Sequence, residues 1–314
     1  FLQISSFYYL SHKSIRSVLK HISPESTFRD CLRMLCLATE YDELATRHGE
    51  ELINMEMSQA MRYPAEDIEY EFIWDPHVKA YLLLQAFMSR VDLPIADYAQ
   101  DTVSVLDQAL RILQAFIDVA SELGHLKVVL TLIEIMQCLK QRIWNDDNPL
   151  LALPGVDASR IRDTIDLDSM SAYSSGKLHK LAKHLGVTEA GEQTVKSFIR
   201  IVTHLPSGAF TVKQDDPESL LVTLEHHNYP LTHEFKAYAP HFPKAQRESW
   251  FLILADAGKQ ELLLIKRASP KMFGKKGKVV SSLELFDDMR GKDVVLMCIN
   301  DAMKISYEKK LTLM

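Results

Sequence analysis

From Phe1 to Trp144 apolar residues recur every three or four positions, the period of amphipathic helices. Ser11 can cap a helix over Ile15, Val18 and Leu19 that stops near Pro24. Ser26 or Thr27 can open the next, with Leu32, Leu35, Cys36 and Thr39 on its inner face. A further helix covers Gly49–Arg62 and ends before Pro64. Asp75-Pro76 then pairs an N-cap with a proline at the first helical position, where the missing N–H costs nothing. The helix it opens carries Leu82, Leu83, Leu84, Phe87 and Met88, apolar in so many directions that it belongs inside a bundle. Pro94 ends that region. Asp101 or Thr102 is expected to begin a long helix, 101–123, closed by Gly124 in the left-handed C-cap. About 22 residues at 1.5 Å each give it a length of roughly 33 Å. His125–Trp144 reads as a third long helix, closed by Asn145-Asp146-Asp147-Asn148-Pro149.

Residues 150–206 change style, with shorter helices and turns at Pro154-Gly155, Ser174-Ser175-Gly176, Gly186 and Gly191. After Pro206-Ser207-Gly208 the period falls to two, in Leu220–Leu224, Trp250–Leu254, Leu262–Ile265, Val279–Leu285 and Val294–Ile299. Several short strands with no helix between them predict an antiparallel β-sandwich. The expected order is therefore a helical bundle over 1–149, a small helical domain over 150–206 and a β-sandwich over 207–314.

Composition changes this picture little. A chain of 314 residues is long for one core and suits two or three domains. A formal charge of −6 argues against general coating of nucleic acid but leaves room for a local basic channel. The first residue is Phe1 and not Met, so a piece of a longer protein is expected, with any targeting signal outside it. The most apolar run, Val128–Leu139, is too short for a membrane span and contains Glu134. Cys31 and Cys36 fall roughly 140° apart on a helix, too divergent to bridge. Reduced thiols in a cytoplasmic or nuclear protein are the simpler account of the four cysteines.

No motif marks a catalytic centre. Gly274-Lys275-Lys276-Gly277-Lys278 lacks the spacing by which a phosphate-binding loop cradles its ligand, and reads as a basic loop between strands. Asp42-Glu43-Leu44-Ala45 mimics a helicase acidic box without the buried strand that should precede it. His226, His227, His233 and His241 match no zinc spacing. No nucleophile elbow points to a triad.

Three features remain. The long helix bears a polar stripe of Ser104, Asp107, Gln108, Arg111, Gln114, Asp118 and Ser121 at three- and four-residue steps. The stripe is either a wet face or a channel lining in which Arg111, Gln108 and Gln114 touch phosphates or sugars. Leu151-x-Leu153-Pro154-Gly155-Val156 reads as the turn of a helix-hairpin-helix. Asp157 stands there in the place of a second glycine and would repel a phosphate. Lys266, Arg267, Lys271, Lys275, Lys276 and Lys278 form a basic segment beside Phe273, either a solvated face or a docking surface.

Four segments carry a family resemblance: SSFYYLSHKSIR (Ser5–Arg16), DPHVKAYLLLQAFMSR (Asp75–Arg90), DTVSVLDQALRILQAFIDVASELG (Asp101–Gly124) and HFPKAQRESWFLILADAGKQELLLIKR (His241–Arg267). In this order, across nearly the whole chain, they resemble the Sec-sixty-three homology unit of Ski-two-like helicases. Their wording is most similar to the C-terminal units of the two-cassette helicases of the activating signal cointegrator and ribosome quality-control trigger complexes. The resemblance implies a helical bundle, a helix-hairpin-helix-like domain and an immunoglobulin- or fibronectin-like sandwich. It makes the long helix a ratchet helix along which single-stranded RNA or DNA passes, with Gln108, Arg111 and Gln114 as contacts. It also implies an accessory role without catalysis or metal in this chain, beside upstream motor and winged-helix domains that use ATP and Mg²⁺ for 3′-to-5′ unwinding. The partners it implies are complex subunits or the ribosome, met through the six basic residues from Lys266 to Lys278, and no membrane. Asp107, Asp118 and Asp157 depart from a simple strand grip. They leave open a pure protein-interaction platform of a helicase, of the cointegrator-complex or spliceosomal type, with no nucleic-acid contact.

Overall fold

A computed structural model of the chain describes residues 1–65, 73–162, 165–226, 236–273 and 276–314, with backbone alone at 226, 271–273 and 276–277. It is helical first and antiparallel β afterwards. Two compact units divide the chain: Phe1–Asn145 with His241–Lys244, and Asp146–Pro240 with Ala245–Met314.

The first unit contains α1 (Leu2–Phe7), α2 (His12–His21), α3 (Phe28–Cys36), α4 (Glu50–Ala60), α5 (Pro76–Ser89), α6 (Ala96–Glu122) and α7 (Leu126–Gln141). Local chemistry sets several starts. Ser11 accepts from the Lys13 amide at the head of α2, and Thr27 and Asp30 form a reciprocal capping box on α3. At α5 the Asp75 carboxylate accepts from the His77 amide at 2.7 Å, with Pro76 in the first turn. Leu82, Leu83 and Leu84 are all completely buried. Consecutive residues point about 100° apart, so α5 is enclosed on every side. It packs against α3, α4, α6 and α7.

The long helix departs from expectation at its start. It begins at Ala96, not at Asp101 or Thr102, and its N-cap residue Ile95 makes no side-chain cap. Thr102 Oγ1 donates to the Tyr98 carbonyl at 2.7 Å, a bond of the helix interior. Asp101 turns into the protein, where its carboxylate meets Lys79 Nζ at 2.8 Å and Arg47 Nη1 at 2.7 Å. Lys79 is wholly buried and also donates to Glu50 at 2.8 Å and to the Ala45 carbonyl at 2.6 Å. Its ammonium lies 4.6 Å from the centre of the Tyr98 ring. A capping carboxylate in the sequence is thus a core anion in the fold. The helix has 27 residues, and at 1.5 Å each it runs about 40 Å. Gly124 follows it at φ 73°, in the left-handed region expected for it.

α7 also ends earlier than its breaker cluster, because Arg142 takes the left-handed conformation at φ 55°. Arg90 does the same after α5 at φ 57°. Arg90 Nε donates to the Arg142 carbonyl at 2.7 Å, and Arg142 Nε donates to the Phe87 carbonyl at 3.1 Å. Each residue that ends one helix therefore bonds to the end of the other. All four cysteines are buried free thiols, and burial pushes that of Cys31 up to about 12.

In the second unit come α8 (Leu167–Met170), α9 (Ser175–His184) and α10 (Glu192–Thr203). The strands are β1 (Gly208–Asp216), β2 (Ser219–His226), β3 (Trp250–Asp256), β4 (Leu262–Ala268), β5 (Lys271–Phe273), β6 (Lys276–Glu284), β7 (Asp293–Asn300) and β8 (Ser306–Thr312). They form two four-stranded sheets, β1-β2-β6-β5 and β4-β3-β7-β8, antiparallel throughout. In the first sheet Leu220 pairs with Leu283 and Leu224 with Val279; in the second Leu252 pairs with Cys298 and Leu254 with Leu296. These residues share one hydrophobic core with Leu178, Phe198 and Val202 of α9 and α10. Small helices and sheets stabilise each other through it. β3 is buried from Trp250 to Ala255, on both of its faces, which is why it reads as a nearly unbroken apolar run.

Candidate nucleic-acid interface

The inner side of α6 (Val105, Leu106, Ala109, Leu113, Phe116, Ala120) is fully buried, as its spacing predicts. The polar stripe opposite is only partly exposed, because the first unit uses much of it internally. Arg111 Nη1 donates to the Tyr9 carbonyl at 2.9 Å and reaches the Tyr8 carbonyl at 3.4 Å. Its Nη2 donates to Gln108 Oε1, so those two candidates form one cluster. Asp118 accepts from the Tyr8 hydroxyl at 2.7 Å, and Asp107 pairs with Lys244 at 2.9 Å. Gln114 lies partly buried about a turn beyond Arg111.

The arrangement answers part of the doubt raised by the two aspartates. Each has a partner from outside the helix, so neither stands as a bare anion on the stripe. Arg111, for its part, is a clamp on the turn between α1 and α2 as well as a cation on the helix face. At that turn and the end of α1 stand two residues the sequence patterns did not single out. Phe7 is 75% exposed and Tyr9 86% exposed, the latter at φ 53°. Of the three consecutive aromatics, Tyr8 alone is buried, and no pattern in the sequence tells it from Phe7 and Tyr9.

At the Pro154-Gly155 turn, Gly155 has φ 72°, and a Cβ there would meet Thr194 Cγ2 at 2.6 Å. The turn is flanked by 3₁₀ segments at Pro149–Ala152 and Ala158–Arg160. The Asp157 amide, which a phosphate would need, donates to the Leu185 carbonyl at 2.9 Å. Hydrogen bonds from the Ser159 hydroxyl and amide hold the Asp157 carboxyl below its ordinary value, so it stays anionic. Nothing in this geometry favours a phosphate.

Of the basic segment, Lys266 Nζ donates to the Ser282 carbonyl at 2.7 Å and Lys278 pairs with Glu225 at 3.2 Å. The Arg267 guanidinium stacks over Phe251 at 5.3 Å. Lys275 and the side chains of Lys271, Lys276 and Phe273 lie outside the described residues. So do His227, His233 and the side chain of His226. The His241 imidazole is held below its ordinary value by burial and by the Arg142 and Arg90 charges. Among the described residues no acidic, cysteine or histidine cluster could hold a metal, and no helix is long and apolar enough to cross a membrane.

Comparison with known proteins fits this frame. Residues 3–312 match the family model described as the Sec63 Brl domain. The chain is 44% identical, over 98% of its length, to the RQC trigger complex helicase SLH1 of Saccharomyces cerevisiae. It is 33% identical over 95% of its length to the DExH-box ATP-dependent RNA helicase DExH14 of Arabidopsis thaliana. It is 31% identical over 84% of its length to the activating signal cointegrator 1 complex subunit 3 of Homo sapiens. It spans 17%, 14% and 14% of those three proteins. With a family match over almost every residue and the helical-then-β order in place, this chain belongs to the Sec63 Brl domain family.

Proposed function

We propose that this Sec63 Brl unit is the accessory, non-catalytic part of an ATP-dependent 3′-to-5′ RNA helicase, and that it guides single-stranded nucleic acid along α6. The observation that carries the reading is the Arg111–Gln108 cluster with Gln114 on the partly open face of the long helix, in a chain two of whose relatives are named as helicases. Amides donate and accept without fixing a charge, and one guanidinium supplies phosphate attraction. Such a face suits a strand that moves. ATP and Mg²⁺ belong to motor domains beyond this chain, where the hard chemistry is done.

In this reading the three-part division at about residues 149 and 206 is kept, with a helix-hairpin-helix-like second part that is structural and an immunoglobulin- or fibronectin-like third part. The shared core makes the second and third parts one folded body. Work in ribosome quality control, in the cytoplasm or nucleus, is proposed from the name of the yeast relative. Docking of complex subunits through Lys266, Arg267 and their basic neighbours accompanies it, since two relatives are named as members of complexes.

The test is binding of fluorescein-labelled single-stranded RNA by the full chain across a salt series. Loss of one phosphate contact in Arg111→Gln lowers the slope of log K against log salt by about 0.7. Gln114→Ala weakens binding without changing the slope. A chain that binds no RNA even at low salt refutes the guiding role and leaves the protein platform.

A further inference from the structure

The most exposed aromatic residues of the first unit stand next to its most one-sided basic helix. Tyr9, 86% exposed, lies two residues before Ser11, the N-cap of α2. α2 (HKSIRSVLKH) contains no acidic residue, in a chain whose formal charge is −6. At 100° per residue His12, Arg16, Lys20 and Lys13 fall within an arc of about 100°, opposite the buried Ile15 and Val18. All four are exposed, and none of Lys13, Arg16 and Lys20 forms an ion pair within the described residues. From Lys13 to Lys20 the cations extend over about 10.5 Å, seven steps at 1.5 Å.

Nearby acids do not cancel this arc. Glu40 is bound to the Ser11 amide at 2.7 Å and the Ser14 hydroxyl at 2.6 Å, at the head of α2. Asp118 is bound to the Tyr8 hydroxyl. Tyr9 closes α1 in the left-handed conformation of a helix end, with its amide on the Ser6 carbonyl at 3.3 Å and the Leu10 amide on the Ser5 carbonyl at 2.9 Å. Arg111 also donates to its carbonyl at 2.9 Å, and the ring stays outside. The helix end and the Arg111 contact together present the Tyr9 ring to solvent in a fixed place.

Resting on the guiding role argued above, we propose that single-stranded RNA passes over the α1–α2 turn, with a base stacked on Tyr9 and phosphates at Lys13, Arg16 and Lys20. Arg111, besides its place on the α6 face, then also positions Tyr9. Aromatic faces accept any base and cations track the backbone, so the surface is sequence-tolerant. Phe7, 75% exposed, flanks the platform.

The experiment measures anisotropy of a 5′-labelled oligouridine with the full 314-residue chain. Tyr9→Ala weakens binding roughly 5- to 150-fold, the range that base–aromatic stacking supplies. Tyr9→Phe keeps the ring and binds like the unaltered chain. Arg16→Gln with Lys20→Gln lowers the salt slope by about 1.4, two phosphates at about 0.7 each. These three side chains are exposed, and matching thermal melts verify that the fold is intact. Should Tyr9→Ala melt early, the Arg16→Gln, Lys20→Gln pair still decides. Binding and salt slope unchanged in both Tyr9→Ala and the charge pair overturn this surface, and a fall in Gln114→Ala then leaves the α6 reading standing. No binding by the unaltered chain overturns both.

Discussion

Lys79 Nζ and the Asp101 carboxylate lie 2.8 Å apart, the lysine fully enclosed and the aspartate nearly so. Glu50 and Arg47 complete the group, so two cations face two buried carboxylates. Removing the lysine alone leaves two buried carboxylates to share one cation, Arg47. Lys79→Met is expected to cost about 3–5 kcal/mol of unfolding free energy in urea melts. Adding Glu50→Gln and Asp101→Asn recovers part of that loss, because neutral amides need no counter-charge.

The same group makes stability depend on acid. Burial raises the Asp101 pKa, but hydrogen bonds from Arg47 and Lys79 outweigh it and bring the carboxyl below its ordinary 3.8. A depressed folded-state value means the unfolded chain takes up the proton first as pH falls. The contribution is therefore complete above the unfolded value and is lost as pH drops from there through the folded value. Urea midpoints measured downward from pH 5 should fall more steeply in the unaltered chain than in Asp101→Asn. Parallel curves would remove Asp101 from the account.

Arg111 holds the Tyr8 and Tyr9 carbonyls from 103 and 102 residues away. Arg111→Ala is expected to destabilise the first unit by about 1.5–3 kcal/mol, the usual worth of a hydrogen bond to a charged group. Hydrogen exchange should localise the effect, with faster exchange at the Tyr8, Tyr9 and Leu10 amides and little change in α7. Uniform acceleration across the unit would show that the clamp is not local.

Gly155→Ala meets two separate penalties, the φ of 72° and the 2.6 Å approach to Thr194 Cγ2. We expect a loss of roughly 1–3 kcal/mol in thermal unfolding. Thr194→Ser removes the methyl group at the contact, so in the double variant only the backbone penalty remains. A double variant no more stable than Gly155→Ala would mean the contact costs nothing.

What the sequence made legible was local. Asp75-Pro76 announces a helix start in two residues, and Gly124 a helix end in one. β2, β3, β4, β6 and β7 carry enough apolar residues to be read as strands. β1 and β8 escape because Gln214-Asp215-Asp216 and Glu308-Lys309-Lys310 read as loop, although charges are what a sheet edge uses to stay single. Asp101 misleads because a carboxylate near a helix start looks the same whether it caps or is buried, and its partners Arg47 and Lys79 come from distant segments. The stripe on α6 was legible as polar, but not that Tyr8, Tyr9 and Lys244 would occupy it. The outward aromatics of the α1–α2 turn have no periodicity to betray them.

Arg90 and Arg142, each ending its own helix and bonded to the end of the other, act as a shared ruler. Neither α5 nor α7 can gain or lose a residue at that end without breaking both bonds. Any change of length in one must be matched in the other. The bundle can therefore tolerate insertions in its connections far more readily than a single residue added just before either arginine.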